Sequence, residues 1–341
     1  MDGGLVLLPS RGQLYIANDF HTRHADFARW LKDTDLVARL KGGEDVYGLV
    51  LGDVVDAKPN DPEEEKGGDL RMIERIRDIQ RGPGGDRLIY VLGNHEYEVI
   101  RLYDAARKQL GMNRANQRRI VEALYRSELG AYFQQWNFIK RINDDVFNYL
   151  RKRPVLVLCR NGLVAVHAGP TRDPATPADV AQMKDEIVQK LVWNRPGTDY
   201  EPEHVADFLR VMDRSSLLIV GHTPLSSLPE SWVRNGLCLV GDHAAVMAAS
   251  YGALPGQKQY ICIDLSKRYA DVAALEPAKE IRPLEEKRAG APLQPGPAPA
   301  ERSVRRWWLD RSVWSDLAID SSLAAEINAR TVFRLYAGGC G

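Results

Sequence analysis

Five apolar runs in this 341-residue chain each end in a short polar motif carrying Asp, Asn or His. Leu14-Tyr15-Ile16-Ala17 leads into Asn18-Asp19-Phe20-His21, and residues 46–51 lead into Gly52-Asp53-Val54-Val55-Asp56. Residues 88–92 lead into Gly93-Asn94-His95-Glu96, residues 163–166 into His167-Ala168-Gly169, and residues 217–220 into Gly221-His222-Thr223. Aimed at one place, these side chains make a site for two metal ions. Asp19 and His21 stand two apart at a strand end, so both can reach one ion. Asp53 has two carboxylate oxygens and can bridge two ions. Asn94 offers a neutral carbonyl oxygen, and His167 and His222 offer ring nitrogens. Mixed carboxylate and imidazole ligation suits Mn, Fe or Zn better than Ca or Mg alone. No single motif carries this reading, because an isolated histidine such as His204 or His243 is more often a surface or satisfied core residue. The joint pattern carries it: four of the seven histidines end apolar runs, and glycines at 52, 93 and 221 permit the turns that aim a side chain inward.

The elements that must position these residues follow from periodicity. Strand-loop-helix units repeat over the first hundred residues. Residues 24–40 place Phe27, Trp30, Leu31 and Leu36 near a helical period, and residues 70–80 place Ile73, Ile76 and Ile79 on one side of a helix. The acidic stretch 59–68 reads as an exposed loop. Residues 96–142 carry no repeated strand signal and read as helices flanking the site, with aromatics there for packing. Arg160-Asn161-Gly162 between two apolar runs signals a hairpin. Residues 180–192 read as a helix, and 237–240 and 260–265 as further strands. Strands alternating with helices, mixed with hairpins, predict an α/β fold, α+β-like in its mixed sheets. The expected organisation is a catalytic domain over 1–275 with a helical insertion at 97–145. A Pro-rich linker or strap over 276–303 and a Trp-rich segment over 304–341 follow. That last segment would brace the core, cover the site or make a homodimer.

Composition bounds the partners. Lys plus Arg and Asp plus Glu both number 46, so no global charge pulls the chain toward nucleic acid or an acidic membrane. No apolar run is long enough to span a bilayer. The four cysteines are scattered, with no CxxC pair, and Cys159 and Cys262 lie in apolar runs, which predicts buried thiols. The N-terminus shows no basic segment followed by a long apolar stretch, so the expectation is a cytoplasmic enzyme.

The ordered motifs resemble those of the calcineurin-like metallophosphoesterases. Gly93-Asn94-His95-Glu96 and Gly52-Asp53-Val54-Val55-Asp56 are similar to the phosphoprotein phosphatase branch, especially its bacterial members, and the resemblance covers roughly residues 12–265. It implies two mixed sheets packed face to face, with helices outside and the site on loops at one edge. It implies one divalent ion on Asp19, His21 and Asp53 and a second on Asp53, Asn94, His167 and His222, manganese first, with iron or zinc as alternatives. It also implies that His95, held by Asp56, faces the leaving-group oxygen rather than a metal. The chain departs from the pattern at Asn18 and Thr22, where the family has glycine. It departs again at Ala57-Lys58, where the branch has Arg-Gly. That missing Arg clamps phosphate in the branch, and Lys58 lacks its planar fork. Arg195, in Val192-Trp193-Asn194-Arg195, resembles a second phosphate-binding Arg, and Arg23 is another nearby candidate.

The function these expectations imply is a metal-dependent phosphoric monoester hydrolase using water activated by a metal pair, with Ser/Thr phosphoproteins as substrate. A nucleotide or dinucleoside-polyphosphate hydrolase is the alternative, since the same metals handle diesters and anhydrides. A non-catalytic phosphate-binding or scaffold protein is the alternative of another class.

Overall fold

A computed structural model describes residues 4–58, 60–110, 134–139, 141–173 and 175–284. All of these fall within one compact unit of the chain. A second unit, 113–133 with 292–341, lies outside the described residues, and with it the Trp-rich segment 304–341.

Twelve strands among the described residues form two sheets. They are β1 (Leu5–Leu8), β2 (Gln13–Ala17), β3 (Val46–Val50), β4 (Leu88–Tyr90), β5 (Leu156–Cys159), β6 (Val164–Val166), β7 (Leu218–Val220), β8 (Val233–Arg234), β9 (Leu237–Val240), β10 (Ala244–Val246), β11 (Gln259–Asp264) and β12 (Ile281–Pro283). The seven-stranded sheet has the order β1-β5-β6-β7-β10-β9-β8, and the five-stranded sheet β12-β11-β2-β3-β4. Both mix parallel and antiparallel pairs, as expected: β2, β3 and β4 are parallel neighbours, as are β6 and β7, while β5 and β6 form the expected antiparallel hairpin.

The nine described helices are α1 (His24–Asp33), α2 (Leu36–Lys41), α3 (Gly68–Arg81), α4 (Asn94–Leu110), α5 (Gln134–Ile139), α6 (Asp144–Arg151), α7 (Pro177–Ala181), α8 (Asp185–Trp193) and α9 (Pro202–Val211). Two expected helices are each broken in two. Asp35 (φ 48°) separates α1 from α2, and Met183 (φ 53°) separates α7 from α8; both take the left-handed conformation that ends a helix.

The layers follow from strand alternation. In β5, Val157 and Cys159 join the core that also holds Leu14 and Ile16 of β2, while Leu156 and Leu158 point the other way, into a second core with Val188, Leu191 and Phe208. In β7 Ile219 takes the first side, and Leu218 and Val220 the second. The two sheets thus pack face to face, and the seven-stranded sheet is covered outside by α8 and α9. Phe27 and Trp30 of α1 and Ile73 and Ile76 of α3 belong to the first core, which extends to the five-stranded sheet's helical side. A strand buried on both faces has no polar side to show, which is why these strands read as continuous apolar runs.

The expected boundary at 276 needs correction. Ile281–Pro283 pairs antiparallel with β11, so the five-stranded sheet extends into the stretch assigned to the strap. Ile281 and Leu284 are buried there, and their apolar pairing outweighs the prolines around them. The remainder of the strap lies outside the described residues. Cys159 and Cys262 are buried free thiols, as expected, and Cys238 is buried and free as well.

Candidate metal centre

Because β2, β3 and β4 run parallel in one sheet, their C-terminal ends lie on one edge; β6 and β7 do the same in the other. The loops leaving these five ends bring Asp19, His21, Asp53, Asp56, Asn94, His95, His167 and His222 together, all buried. Five of them take positive φ: Asp19 (49°), His21 (47°), Asp53 (52°), Asp56 (75°) and His222 (66°). Left-handed backbone at non-glycine residues is uncommon and gathers where a side chain must be aimed against local preference. Gly52 makes the turn before Asp53 possible: its φ is 81°, and a Cβ there would lie 2.6 Å from the Cα of Gly93 and 2.6 Å from His167 Nδ1.

Asp53 stands at the centre with its oxygens turned to different neighbours. Oδ2 lies 3.6 Å from His21 Nε2, and Oδ1 lies 3.5 Å from His167 Nε2. Two ligand-like groups share it, His21-Asp53-His95 on one side and Asp53-His167-His222 on the other. The ring orientations are set from behind: Val55 C=O lies 3.2 Å from His21 Nδ1 and Leu51 C=O lies 2.7 Å from His167 Nδ1, which leaves each Nε2 for the site. Asn94 Oδ1 completes the second group, 3.1 Å from His167 Nε2 and 2.9 Å from His222 Nδ1. An amide oxygen facing ring nitrogens is repulsive unless a proton or a cation lies among them. Turning the amide over would place its NH₂ 2.9 Å from His222 Nδ1 and 3.0 Å from Asp53 Oδ2. The same contacts can close around hydrogens in the metal-free protein or around a cation, so the donor set fits a divalent ion.

Electrostatics agree. Burial pushes His21 and His222 well below the ordinary imidazole range, so both are neutral and carry lone pairs. Burial alone would raise the Asp53 carboxyl, but His167 and then His95 outweigh it and hold it well below the usual range. Burial opposes a charge on His167, yet the Asp53 carboxylate beside it pushes the ring up to about 9. Burial raises Asp19 to about 7.

The expected residues do not all fall as assigned. Asp19 lies outside both tight groups; its Oδ2 accepts the His222 backbone N–H at 3.1 Å and also a hydrogen bond from Asn18. Asn18, standing where the family has glycine, also donates to Met247 C=O and accepts from Ala249 N–H, each at 2.9 Å. His95 lies near His21 and Asp53, but both its nitrogens are engaged. Nδ1 meets Asp56 Oδ2 at 3.0 Å, and Nε2 meets Lys58 Nζ at 2.6 Å. A ring so occupied, with an ammonium at its free edge, is a poor metal ligand, and its Nε2 accepts from Lys58.

Of the expected phosphate-binding residues, Arg23 is a correction. Its Nε and Nη2 donate to Asp61 at 2.8 Å each, and Glu63 lies 3.4 Å from Nη1, so its fork is filled by the acidic loop. Lys58 is committed to His95 and lies 5.5 Å from the centre of the Tyr251 ring. Arg195 is half-buried, and Asp19 and Asp53 are among the acids it faces.

Glu96 is the residue whose role sequence reasoning missed. Fully buried, its Oε1 accepts from Val54 N–H (2.8 Å), Val55 N–H (3.1 Å) and the Tyr90 hydroxyl (2.7 Å). Its Oε2 accepts from Asp53 N–H (2.9 Å) and Gly93 N–H (2.8 Å). One carboxylate thus ties the loop after β3 to the start of α4. Its place three residues after Gly93 was visible, but its five donors were not.

A family model described as calcineurin-like phosphoesterase matches residues 13–241. No curated protein sequence matches the chain. Among solved structures, the chain is similar to a protein serine/threonine phosphatase from Saccharomyces cerevisiae, itself similar to human phosphatase PP5. The two are 15% identical, each is covered over 77% of its length, and the TM-score is 0.49. A cold-active protein-tyrosine phosphatase from a psychrophilic Shewanella is 13% identical, covering 76% of this chain and 77% of that one, with a TM-score of 0.45. A metallophosphoesterase from Sphaerobacter thermophilus is 16% identical, covering 74% and 84%, with a TM-score of 0.41.

Proposed function

The chain belongs to the calcineurin-like phosphoesterases, enzymes that work with divalent metal ions, and on that premise we propose that it is a phosphoric monoester hydrolase. The observation that carries this reading is Asp53, shared between two groups of buried donors on the C-terminal edges of two sheets. In this reading Asp19, His21 and Asp53 hold one ion, and Asp53, Asn94, His167 and His222 the other, with manganese the first choice for this mixture of oxygen and imidazole donors. A bound pair of divalent ions supplies Lewis-acid polarisation of phosphoryl oxygens and makes water acidic enough to act as nucleophile.

The protein's own groups do the rest. Arg195 binds the phosphoryl oxygens and offsets their charge. Asp56 orients the His95 ring through Nδ1, and the Nε2 edge, where the Lys58 ammonium stands, delivers a proton to the departing oxygen. Cation supply favours a monoester over a polyphosphate. Arg23 is neutralised by Asp61 and Glu63, Lys258 is paired with Asp26 at 2.8 Å and with Glu63, and Lys58 is held on His95, which among these cations leaves Arg195 for a single phosphoryl group. Among the described residues no helix is long and apolar enough to cross a membrane.

The test is His95→Ala assayed on two esters with added manganese. Turnover of an alkyl phosphate, a poor leaving group, should fall by about 10²–10⁴-fold, and that of 4-nitrophenyl phosphate by far less, because only the former needs the proton. Equal losses on both esters with metal content unchanged would remove the proton-donor role.

Metal uptake should depend on pH. Ligation needs a neutral His167 and an ionised Asp19, so protons compete for the site below about 9 at the first and below about 7 at the second. The apparent manganese affinity should fall about 100-fold from pH 9 to pH 7 and more steeply below it, by calorimetric titration of metal-free protein. An affinity that stays flat over this range would contradict the ligand assignment.

A further inference from the structure

Trp193 is one of two exposed large hydrophobic side chains among the described residues, 36% exposed, and it stands against the candidate metal centre. Its ring meets that of His222 edge to face, with centroids 5.7 Å apart. α8, which ends in Trp193, is docked on α4 by the Tyr97 hydroxyl, which donates to Asp185 at 2.8 Å. The indole therefore rests on a metal-site histidine, and its helix is tied to the helix that carries His95. Two residues on, Arg195 faces Asp19 and Asp53.

This places a solvent-facing ring beside His222 at the edge of the site, within reach of whatever group a bound phosphoryl ester carries. A large apolar face left in water costs free energy unless a partner covers it. Packing alone does not explain its exposure, since Val188, Leu191 and Val192 already anchor α8 in the core. Resting on the phosphatase reading above, we infer that the Trp193 indole is a stacking platform for a planar ring on the leaving-group side of the substrate. The substrate class is a phosphomonoester with an aromatic group close to the ester oxygen. A phenol, as in a tyrosyl ester, and a nucleobase share this chemistry.

The test compares 2-phenylethyl phosphate with n-butyl phosphate, whose alcohols leave about equally well and differ in the ring. In the manganese-loaded parent protein, kcat/KM should favour the phenylethyl ester by about tenfold. Trp193→Ala and Trp193→Leu should bring that ratio close to one, and Trp193→Phe should keep most of it. Leucine retains apolar area without a planar face, so a preserved ratio in Trp193→Leu would overturn stacking. A parent ratio near one, or a ratio unmoved in Trp193→Ala, would overturn the platform while leaving the phosphatase reading standing. Absence of turnover on every ester would overturn both. O-phospho-L-tyrosine and adenosine 5′-monophosphate then separate the sources. A selective loss in Trp193→Ala on the first supports a phenol, a loss on the second supports a base, and a loss on neither rejects the proposal.

Discussion

Asp53→Ala protein is expected to turn over phosphomonoesters at least about a thousandfold more slowly than the parent chain and to retain fewer than two ions per molecule. Every other candidate ligand serves one side of the site, but Asp53 turns Oδ2 toward His21 and Oδ1 toward His167. Its removal opens both groups at once. It also removes the charge that keeps His167 protonated in the metal-free protein, so the apo site loses the counter-charge of a buried ring. Metal analysis, single-substrate kinetics and a circular dichroism melt on the same preparation distinguish loss of the site from loss of the fold. Parental metal content together with parental turnover would refute the bridging role. Parental metal content with lost turnover would place Asp53 in the chemistry but outside ligation.

Glu96→Gln is the second large effect, and it should appear first as stability. Three donors converge on Oε1 and two on Oε2 of Glu96, all out of contact with water. A glutamine replaces one oxygen by an NH₂ group that cannot accept, so at least two buried donors lose their partner whichever way the amide turns. Charge-assisted bonds of this kind contribute about 1.5–3 kcal/mol each, and an orphaned buried donor adds its own cost. A loss of about 3–5 kcal/mol is expected, lowering the melting temperature by roughly 10 °C. Because the five donors include the backbone of Asp53 and of the two residues after it, kcat/KM should also fall, by about 10–100-fold. A melting temperature within 2 °C of the parent, on the order of 1 kcal/mol or less, would show that the loop holds its shape without this carboxylate.

Much of the site was legible because its logic is local. A strand buried on both faces gives an unbroken apolar run, and the first polar residue after it marks the sheet edge. Asp53, Asn94, His167 and His222 occupy such positions and Asp19 the one after, and the family resemblance supplied their order. What escaped depends on distant partners. Arg23 looked like a free cation beside Asp19 and His21, but Asp61, 38 residues away, fills its fork. The donors to Glu96 are backbone groups of residues 53–55, which no pattern of side chains announces. Strands at the sheet margins escaped for a related reason. β1 pairs only with β5 and leaves Leu7 49% exposed, and β12 is three residues long and ends in proline, so neither has a periodic signal. The helix breaks at Asp35 and Met183 carry no glycine or proline to punctuate them.

The division of the candidate ligands between the sheets has a mechanical consequence. Asp19, His21, Asp53 and Asn94 follow strands of the five-stranded sheet, whereas His167 and His222 follow strands of the seven-stranded one. An ion held by Asp53, Asn94, His167 and His222 would work as a rivet through the open edge of the sandwich, fastening two layers that otherwise adhere through side-chain packing and hydrogen bonds such as those of Asn18 with Met247 and Ala249. Prising the sheets apart would then require releasing the ion, so the domain's resistance to opening at that edge would be set by the metal in its surroundings as much as by its core.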